Sequence, residues 1–325
     1  MKPVSFVFYI ASICSAACAF AAENASFDSV KAKAESGDAW AQYDMGTRYN
    51  FGKGVSVDMR EAVKWYKMAA ARGRPEAQYN LGCCYEKGTG IEQSNSEAFK
   101  WCKKAAESGL SAAQYNLSVY YRDGIGTAKD EQKSFELLEK SAKNGFATAQ
   151  YTLGVYYEQG IYVGENPQKS AAWYAVAAES GDAMAQCSLG WCYQTGFGVP
   201  QNMSEAIRQW EKSAASGNAM AQYNLGACYD FGNGVQKDIS KAVKYYELAA
   251  RQKLPPAQYN LASCYYNGEG VKKDKVLALA WYLCAWYCGD ERAKVVSGRL
   301  MGELSDDENS KVADMAKEFL GVMQK

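Results

Sequence analysis

The apolar positions of this chain fall into blocks of 36 residues. Ala41-Gln42-Tyr43-Asp44-Met45-Gly46 returns as Ala77-Gln78-Tyr79-Asn80-Leu81-Gly82, and again from Ala113, Ala149, Ala185, Ala221 and Ala257, without insertion or deletion. Within a block, Ala41, Met45 and Tyr49 stand at i, i+4 and i+8, one face of a helix, here helix A. Ala62, Trp65, Tyr66 and Ala69 mark a second helix, B, by the same period. Gly52 ends helix A, because glycine readily takes the left-handed position past a helix terminus. Gly73 ends helix B, and Gly109, Gly145, Gly181, Gly217 and Gly289 repeat that stop.

The start of helix B is equally regular. Asp58, Ser94, Asp130, Asn166, Asn202, Asp238 and Asp274 share one column. Each carries the short side-chain acceptor that an N-cap needs, and Glu61 adds the pattern of a capping box. Gly46, Gly82, Ser118, Gly154, Gly190, Gly226 and Ala262 keep helix A thin, so that its partner approaches closely. Tyr49, Tyr85, Tyr121, Tyr157, Tyr193, Tyr229 and Tyr265 form an aromatic ladder that fills space beside it. No single helix pair hides such faces from water. Stacked pairs do, which requires several units and end caps. The pattern therefore predicts an all-α solenoid of seven 36-residue helix-turn-helix repeats over 38–289. A capping half-repeat over 22–37 precedes it. Capping helices over 290–325 follow, opened by the capping box Ser305-Asp306-Asp307-Glu308.

Lys2, the apolar run Val4–Ile10 and the small residues around Ala19-Phe20-Ala21 predict a secretory signal peptide over 1–21. Two other fates stay open. The segment from Val4 to Ala22 is almost long enough for an uncleaved anchor. Ser15-Ala16-Ala17-Cys18 resembles a bacterial lipobox, with Ser15 where Leu is usual, which would place a lipid anchor on Cys18. The expected location is exported, periplasmic or secreted, with no membrane contact after cleavage. Removal of the segment takes two of the 11 cysteines and leaves nine. An odd number leaves at least one free thiol or an intermolecular bond.

Composition narrows the chemistry. The chain has no histidine, which removes imidazole ligands and His-based triads. S-x-x-K, K-T-G and G-x-S-x-G are absent, so no catalytic residue is assigned and the chain is not read as an enzyme. Basic and acidic residues balance at 36 each, without the basic stripe of a nucleic-acid binder. The Gly52-Lys53-Gly54 loops lack the third glycine and the flanking strand of a nucleotide site. No metal or cofactor is expected. Cys84, Cys192, Cys228 and Cys264 share a column. Ladder neighbours lie about 8–10 Å apart, beyond the roughly 7 Å reach of a disulfide. They read as small buried apolar residues. The column of Gln42, Gln78, Gln114, Gln150, Gln186, Gln222 and Gln258 reads as bonding to backbone at the turn between repeats.

The run A-x-Y-x-L-G-x-x-Y, then G-x-G-V, then D-x-x-x-A-x-x-W-Y-x-x-A-A resembles the Sel1-like repeat family, a relative of the tetratricopeptide repeat. Tyr43, Leu81, Gly82, Gly52, Gly54, Val55, Asp58, Ala62, Trp65, Tyr66 and Ala69 carry the match, in phase over about residues 27–300. The resemblance implies a right-handed α/α superhelix acting as an adaptor or scaffold for a protein or peptide ligand. One secreted, cysteine-rich branch ties each repeat with a disulfide between the columns of Gln42 and Ala70. Those columns hold no cysteine in this pairing. That weakens the alternative reading taken from the branch, a secreted hydrolase or small-molecule binder of β-lactam type.

If helix A lines the concave face, as in tetratricopeptide proteins, the columns at 40, 47, 50 and 51 face the groove. They vary in size and charge, as a recognition surface does and a framework does not. Trp191 stands out in a column otherwise holding Thr47, Cys83, Val119, Val155, Ala227 and Ser263. The expected partner-binding set is Trp191, Met184, Phe197 and Met220 as apolar anchors, with Glu158, Gln194, Arg122 and Asp230 as polar rim.

Overall fold

The computed structural model describes residues 26–321. The segment read as a signal peptide lies outside the described residues, as do Cys14 and Cys18. Seventeen helices and no strand occur among the described residues. α1 (Phe27–Glu35) precedes the repeats. Helices A and B then alternate as α2 (Ala39–Phe51), α3 (Met59–Ala71), α4 (Pro75–Lys87), α5 (Asn95–Glu107), α6 (Ser111–Asp123), α7 (Glu131–Lys143), α8 (Ala147–Gln159) and α9 (Pro167–Glu179). They continue as α10 (Ala183–Thr195), α11 (Met203–Ala215), α12 (Ala219–Phe231), α13 (Ile239–Arg251), α14 (Pro255–Asn267) and α15 (Lys275–Tyr287). α16 (Glu291–Met301) and α17 (Asp306–Leu320) close the chain.

The helix ends follow the local chemistry. All seven residues of the cap column precede a B helix, and each side chain accepts a bond from an amide of the first turn. The backbone N–H of each cap donates to the carbonyl of the ladder tyrosine, from Asp58 to Tyr49 through Asp274 to Tyr265. The ladder thus fastens the end of helix A to the start of helix B. Glu61 does not complete a capping box: its carboxylate takes the Lys64 ammonium instead. Ser305 and Glu308 do form both halves of theirs. Gly52 ends α2 in the left-handed conformation, φ 70°. Lys253 holds the same backbone region, φ 63°, where the other B-helix stops place glycine.

The described chain falls into two compact units, divided between Ala149 and Gln150. Successive helices pack on one another from α1 through α7 in the first unit and from α9 through α16 in the second, and α17 packs back on α15. The tyrosine ladder is mostly half-buried at the A–B loops. The fully buried aromatic column lies on helix B instead: Tyr66, Tyr174, Trp210 and Tyr246 are at most 1% exposed. The thin column of helix A makes room for it. A Cβ on Gly154 would lie 2.6 Å from the Tyr174 ring, and one on Gly190 2.4 Å from Trp210.

The cysteines of helix A belong to the same packing. Tyr66 shares its core with Cys84 of the next repeat, Tyr174 with Cys192, Trp210 with Cys228 and Tyr246 with Cys264. Where helix B carries the small Cys102, helix A of the next repeat carries Tyr120, and these two pack in one core. One bulky ring fills each of these junctions, supplied from either side. Close packing leaves no room for two and no filler for none. Cys187 follows the same logic: it replaces a tyrosine where Trp210 is the larger neighbour, and its carbonyl accepts the Trp210 indole N–H at 3.2 Å.

The glutamine column also acts as read. Gln42, Gln78, Gln114, Gln186, Gln222 and Gln258 each donate to a carbonyl near the end of the preceding helix, at 3.0–3.3 Å. Each of these carbonyls also accepts the backbone N–H of the turn residue three positions on, from Gly37 onto Ala34 through Lys253 onto Ala250, so the glutamine adds a second bond across the turn between repeats.

Candidate functional site

The A helices of the second unit expose an apolar stripe. Met184 and Trp191 on α10 stand at i and i+7, 51% and 36% exposed. Met220 and Phe231 on α12 stand at i and i+11, 45% and 69% exposed. Helical spacing of i, i+4, i+7 and i+11 keeps such positions on one face. Phe231 stands in the column at 51 that the sequence reads as facing the groove, with Phe51 47% exposed in the first unit, but it is not among the expected partner-binding residues.

Trp191 and Phe197 meet, with ring centroids 4.9 Å apart and planes tilted by 44°. Phe197 lies in the loop after α10 and is itself packed against the core of repeat five. The loop thus fixes the Trp191 ring in place and leaves its outer edge to solvent. Met184 is not part of that pair. Seven residues of helix separate it from Trp191, about 10 Å along the axis. Its sulfur accepts the Asn218 amide at 3.4 Å, which links α10 to the start of α12.

The polar residues divide. Gln194 is exposed on the last turn of α10. Glu158 is half-buried and accepts the Tyr174 hydroxyl. Asp230 accepts the Tyr246 hydroxyl at 3.2 Å. In the first unit Glu86 takes the Tyr120 hydroxyl at 3.0 Å. Where this column holds a carboxylate at Glu86, Glu158 and Asp230, the tyrosine that fills the junction ends on it, whether it comes from helix B or from the next helix A. Burial first, with the carboxylate acceptor beside it, pushes the Tyr174 phenol above its ordinary range. The proton stays on tyrosine, and the carboxylate serves as its acceptor. Arg122 lies in the first unit, where it pairs with Asp123 at 2.8 Å, and Trp191 lies in the second.

The buried thiols of the helix A column are not activated at neutral pH. Nine cysteines are unbridged among the described residues. Burial pushes Cys192 and Cys264 up to about 12, and Cys228 to about 11. The nucleophilic species is the thiolate, which such values suppress.

Sequence and structure comparisons lead to the same group of proteins. The Sel1 repeat family model matches residues 41–73, 75–110, 111–146, 147–182, 183–218, 219–254 and 255–290. A protective antigen of uropathogenic Escherichia coli strains with an SLR fold is 34% identical, with a TM-score of 0.75 over 91% of this chain. The match covers 64% of that protein, so this chain spans less than two thirds of its length. A Sel1 repeat protein from Oxalobacter formigenes is 31% identical, with a TM-score of 0.68, over 84% of this chain and 79% of its own. Among curated proteins, none matches. With all seven blocks matched in register by the family model, and two solved relatives above 30% identity, this chain belongs to the Sel1 repeat family.

Proposed function

We propose that the protein is a non-enzymatic scaffold that holds a protein or peptide ligand on the exposed face of its A helices, centred on Trp191 in repeats four to six. Sel1 repeat proteins are generally protein-interaction scaffolds. The observation that carries the site is the exposed apolar stripe of Met184, Trp191, Met220 and Phe231 on adjacent repeats. Exposed large apolar groups rimmed by polar ones mark interaction sites, and Trp is enriched among residues that dominate binding energy. Trp191 is held by Phe197, so little side-chain freedom is lost on binding.

The proposed location is exported, periplasmic or secreted, from the signal-peptide pattern over 1–21. The proposed order is that segment, a cap over 22–37, repeats over 38–289 and caps over 290–325. No helix among the described residues is long and apolar enough to cross a membrane. The test is cross-linked capture from the native envelope with parent and Trp191→Ala chains. The variant is expected to lose the captured partner, with affinity weakened by more than ~1 kcal/mol and an unchanged helical spectrum. Equal capture by both chains would remove Trp191 from the site.

A further inference from the structure

The charged residues of this surface are distributed unevenly. The first three A helices each carry one base near their C-terminal end: Arg48, Lys87 and Arg122. α8, α10, α12 and α14 contain no Lys or Arg at all. Their charged residues are Glu158 and Asp230, both half-buried in the column three residues past that of Trp191. The loops after α8, α10 and α12 contain one base, Lys237, against the acids Glu165 and the N-cap Asp238. Most bases of these repeats lie on the B helices, as Lys169, Arg208, Lys212, Lys241 and Lys244 do. The pattern stops at repeat seven, where Arg292 lies over the Tyr259 ring and Lys273 over the Tyr266 ring.

The two carboxylates are also held in place. Glu158 receives the Tyr174 hydroxyl, and Asp230 receives the Tyr246 hydroxyl, each on one oxygen. The tyrosines are buried, so each acid is positioned by the core and keeps a second oxygen for a partner. Between them along the stack stands the Trp191–Phe197 pair, whose ring faces attract cations as well as apolar groups.

We infer that the ligand of this surface is a peptide segment with Lys or Arg on both sides of an apolar or aromatic residue. The apolar residue seats against Trp191, and the cationic residues reach Glu158 and Asp230. This rests on the function proposed above and adds the chemistry of the partner. Charge complementarity favours a cationic segment because repeats four to six present fixed acids and no base on their A helices, while an acidic segment would meet like charge.

The test is selection of random 12-residue peptides displayed on phage against the full chain, with Trp191→Ala as the counter-target. The retained peptides are expected to carry net positive charge around an apolar or aromatic residue. A synthetic retained peptide, followed by fluorescence anisotropy, is expected to bind at least fivefold more weakly to Glu158→Gln and to Asp230→Asn. Its affinity should fall steeply from low to high salt. The amide oxygens of both variants still accept the tyrosine hydroxyls, so the helical spectrum and melting point should hold. Retained peptides that are neutral or acidic, or a cationic peptide indifferent to both substitutions, overturn the charge assignment while leaving the scaffold role standing. No peptide retained over the Trp191→Ala counter-target overturns both.

Discussion

At the scale of single residues, the pairing of a large ring with a small side chain explains positions that composition alone leaves arbitrary. Cysteine at 84, 192, 228 and 264 is the small partner of Tyr66, Tyr174, Trp210 and Tyr246. The pair Cys102 and Tyr120 is the same junction with the sides exchanged. Cys192→Tyr alone should therefore overpack the junction with Tyr174 and destabilise by about 1–3 kcal/mol. Tyr174→Cys alone removes the ring and leaves a void. The double substitution rebuilds the arrangement seen at Cys102 and Tyr120, with the new hydroxyl within reach of Glu158. Urea unfolding of the four chains should give a coupling of at least ~1 kcal/mol in favour of the double variant. Additive losses would show that the two positions do not share one space.

At the scale of the element, each B helix depends on a cap that the chain supplies locally. The Asn202 side chain accepts from Glu205 N at 3.2 Å, and its own N–H donates to Tyr193 O at 2.9 Å. Asn202→Ala keeps the second bond and loses the first. The expected cost is ~1 kcal/mol by urea unfolding. Because neighbouring repeats stabilise one another, amide exchange should speed up in α10 and α12 as well as in α11. Faster exchange confined to the first turn of α11 would mean that the repeat frays alone. The helix boundaries were legible in sequence for this reason: caps and glycine stops act within three or four residues. Glu61 was misread because a capping box and an i, i+3 ion pair with Lys64 use the same carboxylate.

At the scale of the whole molecule, the buried thiols couple stability to pH. Cys192 and Cys264 are pushed to about 12 and Cys228 to about 11 by burial, against about 8.5 for an exposed thiol. Between those values the folded chain keeps protons that the unfolded chain has lost. Their contribution is fully present below about pH 8.5 and is lost as pH rises through the folded values. Buried tyrosines such as Tyr174 act in the same direction, starting from their higher ordinary value of about 10. Urea midpoints measured from pH 7 to 11 should fall above about pH 8.5. Replacing Cys192, Cys228 and Cys264 together by alanine should flatten the first part of that fall. An unchanged slope between pH 8.5 and 9.5 would assign the whole effect to other groups.

The sequence by itself determined the number of repeats, their helices, their caps and the glutamine bonds at the turns. Those features repeat every 36 residues and arise between residues close in the chain. It also made the exposed face of Trp191 legible, because a tryptophan in a column of small residues departs from the repeat. Tertiary structure alone decided which side chains of that face are available and which are anchored. Glu158 and Asp230 are tied to tyrosines 16 residues away, and Glu86 to one 34 residues away. Whether a carboxylate ends on a buried phenol depends on which neighbour fills the junction, and that choice is made by packing across stacked helices. The complementary columns of large and small residues were present in the sequence, but only the stacking of one repeat on the next shows that they occupy one space.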